Sequence, residues 1–234
     1  MIPKIIHQTA KSIHIPQKWA ILQQKVKKNF PEWEYRFWTD EDNLHLVQNY
    51  FREWEAVYLA MPKAIMRADM IRYMYMYEFG GLYLDIDYEI LRPFNFQNYS
   101  LVLPSEHKNQ DSVFIGNSIF SSVPRHAFWA KVLNDLKENP PLIVKNEEDV
   151  INLTGPGFLT KTYLNYFKDD TSIYVPERNL FNPNIPRSKF EQKKLENDGI
   201  TIGIHHCRGS WRDTVVFHKR IINKLMDILK IINN

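Results

Sequence analysis

Apolar and polar positions fall into short bursts along this chain, and their period switches between two and about three and a half. "IPKIIHQ" is a short apolar run around Pro3 and predicts a first, central strand. In "QKWAILQQKVKKNF" the residues Trp19, Ile21, Leu22, Val26 and Phe30 recur near helical spacing, and Pro31 closes the helix. "EYRFWTD" alternates as a second strand with Tyr35 and Phe37 on one face, and Thr39 or Asp40 is placed to cap the next element. A strand, helix, strand opening is the signature of an α/β layer fold.

Pro62 and Gly80 bracket "KAIMRADMIRYMYMYEF", a helix so nearly apolar all round that it must be buried. "GLYLDID", "YEILRPF", "SLVLPS" and "SVFIGNSIF" then read as strands, followed by helices near "RHAFWAKVLNDLK" and after "TGPGFLTKTYLNYF". "ITIGIHH" is a last strand. The Pro- and Asn-rich stretch "PERNLFNPNIPRSKFEQKKLENDG" reads as a long surface loop, of the kind that often lies beside a site. No repeat, low-complexity tract or break in composition divides the chain, so a single domain over residues 1–234 is expected.

With 234 residues, 44% hydrophobic and 24% charged, the chain can build a sizeable core without a disulfide or metal staple. Cys207 is its one cysteine, which excludes an internal disulfide and fits a reducing compartment. A net charge of +3 gives no ground for a nucleic-acid partner. The N-terminal stretch reads as neither a signal peptide nor an anchor, and a cytoplasmic protein is expected. At the other end, an amphipathic helix at about 213–232 carries His218, Lys219, Arg220, Lys224 and Lys230. It either packs on the core or lies on the inner face of a membrane as a peripheral contact.

The chemistry concentrates where "GLYLDID" ends. On a strand, Asp85 and Asp87 would share a face while Leu84 and Ile86 point into apolar layers. Two like charges so close repel unless a cation sits between them, and a pair of carboxylates suits Mg²⁺ or Mn²⁺. The alternative is a pair that caps turns or meets lysines. On the preceding helix Asp69 and Arg72 share a face, either as an internal ion pair or as the edge of a nucleotide pocket, with Arg67 off that face. Downstream, "IHHCRGSW" offers His205 and His206, of which strand alternation lets at most one reach a metal. Ser210 and Trp211 come next, with donors for phosphate oxygens.

"IPKIIHQ", "FWTD", "RADMIRYMYMYEFGGLYLDID", "TGPGFLT" and "HHCRGSW", in this order, resemble the DXD-containing glycosyltransferases of family thirty-two. Their relatives are the yeast initiating mannosyltransferase, capsule-type transferases and the clostridial glucosylating toxins. The resemblance runs from Ile2 to about Trp211, and the block around the DXD is its most specific part. It implies a GT-A fold, a Rossmann-like nucleotide-binding domain with a mixed central sheet flanked by helices. It implies a retaining, Mn²⁺- or Mg²⁺-dependent transfer from a nucleotide-sugar donor to a saccharide or lipid-linked saccharide acceptor in surface polysaccharide synthesis. A UDP-hexose or UDP-N-acetylhexosamine is the first donor expected, with GDP-mannose its competitor.

By matching positions, the resemblance assigns donor binding to His7, Gln8, Asp69, Arg72, Tyr83, Asp85, Ser210 and Trp211. It makes Asp85, Asp87 and Asn117 catalytic, and it puts Thr154, Gly155 and Pro156 on the acceptor side. Asp87 and His206 are its metal ligands, with His205 the fallback. The "KPW" ending of related galactosyltransferases is missing here, so no lysine contact to phosphate is carried over from that place. Glu106 and Asp111 lie in the right region for a carboxylate nucleophile but match no motif, which favours a front-face route. A nucleotide-sugar hydrolase and a non-catalytic nucleotide-sugar-binding module are the rival readings.

Overall fold

The computed structural model describes residues 1–108 and 112–207. Strand β1 (Ile5–Thr9) leads through helix α1 (Gln17–Asn29) to β2 (Glu34–Trp38). Helices α2 (Asp40–Tyr50), α3 (Glu55–Ala60) and α4 (Ala64–Glu78) come next, with Thr39 and Asp42 closing a reciprocal capping box at the start of α2. The chain continues through strands β3 (Gly81–Leu84), β4 (Tyr88–Ile90), β5 (Leu101–Val102), β6 (Ser105–Lys108), β7 (Val113–Ile115) and β8 (Ile119–Ser122). Helices α5 (Ala127–Glu138), α6 (Glu147–Leu153) and α7 (Pro156–Tyr166) precede β9 (Ile173–Tyr174). Helices α8 (Arg178–Phe181) and α9 (Lys189–Asn197) then lead to β10 (Gly203–His205).

Six strands form the central sheet in the order β2-β1-β3-β8-β5-β9. β1 runs parallel to β2 and β3, whereas β8 runs antiparallel to β3 and β5, so the sheet is mixed. Alternation along β3 puts Leu82 and Leu84 into one apolar cluster, with Ile6, Val26 and Phe30, and Tyr83 into the other, with Tyr75, Phe120 and Trp129. Both faces of the sheet are therefore covered. The second cluster is built on α4, which buries Met66 and an unbroken run from Asp69 to Met76, as an all-round apolar helix requires.

Two glycines connect this helix to β3. Gly80 has φ +64° and Gly81 φ +90°, and a Cβ on Gly81 would lie 2.4 Å from the Ile5 carbonyl oxygen. The close approach lets β3 slide between β1 and β8 and aims its end at the site.

Three expectations are corrected by the structure. The strand ends at Leu84, so Asp85, Ile86 and Asp87 lie in a turn and Ile86 is half-exposed rather than packed in an apolar layer. "SVFIGNSIF" breaks at Gly116–Ser118 into β7 and β8, which pair with different partners. The stretch expected as a long loop holds α8 and α9, because Ser188 accepts a hydrogen bond from the Glu191 amide and starts a helix there. Ser210, Trp211, Asp111 and the helix expected at 213–232 lie outside the described residues. Among the described residues no helix is long and apolar enough to cross a membrane.

Candidate active site

The turn after β3 holds Asp85 and Asp87 by its backbone. The Asp85 amide donates to the Ser118 carbonyl at 2.8 Å, and the Tyr88 amide closes back on the Asp85 carbonyl at 3.0 Å. β4 then pairs antiparallel with β10, opposing Tyr88 to His205, and the His206 amide donates to the Asp87 carbonyl at 3.2 Å. This register delivers the His205 ring to the two aspartates. Its Nε2 lies 3.3 Å from Asp87 Oδ1 and 3.5 Å from Asp85 Oδ2. One ligand atom from each of Asp85, Asp87 and His205 lies within 4.8 Å of the others.

The expected ligand His206 is turned elsewhere. Its Nε2 meets Glu89 Oε2 at 2.9 Å, and Glu89 also takes Lys25. Adjacent residues on a strand face opposite ways, and the β4 pairing decides which one faces the carboxylates. His205 therefore replaces His206 in the donor set. That set fits a hard divalent cation: two carboxylate oxygens and an imidazole nitrogen, all part-exposed, with open space beyond them. Burial opposes charge on His205, but its hydrogen bond to Asp87 and the charge of Asp85 hold its pKa well above the usual imidazole range. His205 Nδ1 lies 3.2 Å from Cys207 Sγ, a contact that orients the ring.

Behind the aspartates stands a buried polar chain. Arg72 Nη1 donates to Asp85 Oδ1 at 2.9 Å and to the Asn117 carbonyl at 2.7 Å, and its Nε donates to the Ala68 carbonyl at 3.0 Å. Tyr83 Oη donates to the same Asp85 oxygen at 2.6 Å. Asp69 receives Asn117 Nδ2 at 2.9 Å and Thr154 Oγ1 at 2.8 Å, and its Oδ1 lies 3.5 Å from Arg72. Burial pushes the Asp69 carboxyl up to about 6, opposed by Arg72, Thr154 and Asn117. Asp69 and Arg72 are 2% and 4% exposed, so in this structure they fix Asp85 and Asn117 from behind. Thr154 and Gly155 are likewise buried, and only Pro156 of the expected acceptor-side trio is part-exposed.

The expected base contacts are also inaccessible. His7 is fully buried, stacked against Trp38, Tyr75 and Phe79. Its Nδ1 accepts from Trp38 Nε1 at 3.1 Å, which leaves Nε2–H to donate to the Gly80 carbonyl, also at 3.1 Å. Burial, helped by the charge of Arg36, pushes its pKa down to about 3, so the ring is neutral. Gln8 is buried too, donating to the Asp85 carbonyl at 3.1 Å and accepting from Tyr35 Oη. Gln8 braces the Asp85 turn and His7 the join from α4 to β3, and both are buried because β1 is an inner strand with both faces covered.

In front of His205 opens a cleft of about 830 Å³, lined among others by Glu106, Arg178, Asn182, Arg187 and Cys207. Glu106 stands on β6, where Gly116 leaves it room: a Cβ there would lie 3.1 Å from the Glu106 carboxylate. Burial raises the pKa of Glu106, and His205 and Arg178 pull it back down. Sequence motifs did not reveal this wall. Its signals were the position of Glu106, which matched no motif, and the Pro- and Asn-rich "NPNIPR" composition of the segment after α8.

Residues 16–108, which carry Asp69, Arg72, Asp85 and Asp87, match the family described as "Glycosyltransferase sugar-binding region containing DXD motif". Inositol phosphoceramide mannosyltransferase 2 of Schizosaccharomyces pombe is 29% identical over 177 residues, 74% of this chain and 50% of that protein. Mannosyl phosphorylinositol ceramide synthase SUR1 of Saccharomyces cerevisiae is 31% identical over 166 residues, 71% of this chain and 43% of that protein. The chain spans about half the length of the curated relatives it matches. Among solved structures, PaToxG glycosyltransferase aligns with a TM-score of 0.56 at 18% identity, over 71% of this chain and 70% of that one, a likeness of fold. The mixed sheet flanked by helices is accordingly the GT-A arrangement, and residues 16–108 are the part of this chain that matches the DXD-containing sugar-binding region of the glycosyltransferases.

Proposed function

We propose that this protein is a metal-dependent glycosyltransferase that moves a hexose from a nucleotide-sugar to a hydroxyl of a saccharide or lipid-linked acceptor, with retention at the anomeric carbon. The observation that carries this reading is the Asp85, Asp87 and His205 cluster at the head of the cleft, inside or paired with the region matched to the DXD family. Mannose is the favoured sugar, since one fungal relative is named a mannosyltransferase and the other a synthase of a mannosyl lipid, and the lipid both are named for bears a phosphoinositol head. A UDP-hexose used in surface polysaccharide synthesis is the second reading, supported by the sequence resemblance.

A divalent cation held by Asp85, Asp87 and His205 would supply positive charge for the departing diphosphate. The chain's own residues do the rest. Arg72 and Tyr83 both donate to Oδ1 of Asp85, which leaves Oδ2 facing His205 and fixes the carboxylate's rotation. Asn117, tied to Asp69 and Arg72, lies beside this turn, where it would contact the donor sugar. Glu106 in the lining of the same cleft would accept a hydrogen bond from the incoming acceptor hydroxyl and orient it, while Arg178 and Arg187 would meet an anionic part of the acceptor. Substrate positioning of this kind lowers the barrier by removing orientational freedom before the bond is broken.

The test is release of nucleoside diphosphate from GDP-mannose and from UDP-hexoses, with and without Mn²⁺, in the presence and absence of a phosphoinositol lipid or an oligosaccharide. Expected is Mn²⁺-dependent turnover of one donor that the acceptor accelerates and that Asp87→Asn abolishes. Turnover that no acceptor accelerates would establish a hydrolase instead. Donor binding without turnover would establish a binding module.

A further inference from the structure

Helix α9 buries none of its residues, yet it is fastened at both ends. At its start Ser188 Oγ accepts from the Glu191 amide at 3.2 Å, and Glu191 Oε2 accepts from the Arg187 amide at 2.6 Å. At its end Arg92 Nη2 donates to the carbonyls of Leu195 and Glu196 at 3.3 and 2.8 Å. The part-buried side chains are Gln192, which reaches Glu89 at 3.5 Å, and Leu195. A helix with so little core to cover leaves most of its surface to solvent.

That outward face carries Phe190, Lys193 and Lys194 at i, i+3 and i+4, with Lys189 beside them. Phe190 is 79% exposed, and Ile185, 44% exposed, stands just upstream next to Arg187. Single exposed apolar residues are ordinary on protein surfaces. Here an aromatic ring is ringed by cations on one fixed face, and the segment that carries it, through Ile185, Arg187 and Glu191, forms the rim of the cleft in front of His205. Of the two acids on the helix, Glu191 is taken up by the cap and Glu196 by Gln192.

An aromatic ring flanked by lysines matches the boundary of an anionic lipid bilayer, where the ring enters the acyl edge and the ammonium groups meet lipid phosphates. An acidic protein groove would satisfy the lysines but gives no reason for placing them on the mouth of a substrate cleft. We propose that the outer face of α9 docks on an anionic lipid surface, with Phe190 at the headgroup level and Lys189, Lys193 and Lys194 against lipid phosphates. Docking in this way sets the mouth of the cleft against the membrane. The proposal goes beyond the transfer chemistry and does not depend on the identity of the donor.

The experiment is co-sedimentation of the full chain with phosphatidylcholine vesicles, with and without phosphatidylglycerol. Three proteins are compared: wild type, Phe190→Ser, and the double variant Lys193→Glu with Lys194→Glu. A fourth, Lys18→Glu with Lys28→Glu on α1, carries the same change in net charge elsewhere. All keep residues 208–234 intact. Expected is binding to the anionic vesicles only, weakened by salt, lowered at least about 25-fold by the α9 double variant at roughly fivefold per lysine. Phe190→Ser should lower it as well, and the α1 variant should bind within about twofold of wild type. Mn²⁺-dependent donor turnover in solution should be unchanged in both α9 variants, which separates this proposal from the transferase reading. Equal loss in the α1 variant, or undiminished binding in the α9 variants, would overturn the proposal. So would a change in oligomeric state on Phe190→Ser with vesicle binding intact, which would assign the face to a second copy of the chain.

Discussion

Asp85 uses its two oxygens differently: Oδ1 takes Arg72 and Tyr83, and Oδ2 faces His205. Carboxylates one residue apart after an apolar run were legible as a candidate cation site, because two like charges held so close are eased by a counter-charge. The choice between His205 and His206 was not legible, since it is made by the register of β10 on β4, two strands more than a hundred residues apart. The two histidines should therefore separate in experiment. His205→Ala should lower Mn²⁺-dependent turnover by about 10- to 100-fold and weaken the rise in Tm that Mn²⁺ with donor gives, in the range seen when a metal site loses a partner. His206→Ala should leave the Mn²⁺ requirement in place and cost about 1–3 kcal/mol of stability, read by urea unfolding, through the loss of a hydrogen bond to a buried carboxylate. Arg72→Met removes the guanidinium that stands between Asp69 and Asp85 and leaves the two carboxylates without it, for which a loss of about 3–5 kcal/mol is expected in the same measurement.

The elements whose pattern is self-contained were readable from sequence. Helix α4 is apolar nearly all round apart from Asp69 and Arg72 on its buried face, and α2 carries its whole capping box within four residues. Elements made by distant partners were not. β6 and β7 exist by pairing with each other around Glu106, and α9 is held by Arg92, about a hundred residues earlier in the chain. The join from α4 to β3 belongs to the first group in sequence and to the second in energetics. The "GG" pair announces a turn, but only the structure shows Gly81 at φ +90° with the Ile5 carbonyl against its Cα. Gly81→Ala would place a Cβ 2.4 Å from that oxygen and force β3 away from β1. A loss of at least about 2–3 kcal/mol is expected from strain and clash together, measured as a lowered urea midpoint. Because β3 carries the Asp85 turn, the surviving folded fraction should also show a raised KM for the donor, whereas a lowered midpoint with unchanged KM would separate the strand from the site.

Taken over the molecule, three of the buried titratable groups, His7, Asp69 and Glu89, contribute to the acid response in different directions. His7 has its pKa lowered from 6.5 to about 3 by burial and by Arg36. The unfolded chain therefore takes up a proton below pH 6.5 that the native chain refuses, and the stability His7 gives is lost as pH falls toward 3. Asp69 is raised from 3.8 to about 6 by burial, so the native chain takes up a proton below pH 6 that the unfolded one does not, and stability is gained as pH falls toward 3.8. Glu89 is held at about 2, chiefly by its hydrogen bond from His206, and its contribution is lost as pH falls from 4.5. Between about pH 4.5 and 6 the first two slopes oppose and cancel, and below 4.5 the loss from His7 and Glu89 dominates. These three groups therefore give a plateau and then a steep acid limb. His7→Gln should remove one arm of the balance: across the plateau, the stability difference between wild type and variant should shift by about 1.4 kcal/mol per pH unit, with the variant gaining on acidification. Urea unfolding of both proteins at several pH values in that window measures it. A difference that stays constant with pH would mean that His7 takes up its proton equally in both states, which a ring stacked in an aromatic cage and hydrogen-bonded through both nitrogens should not do.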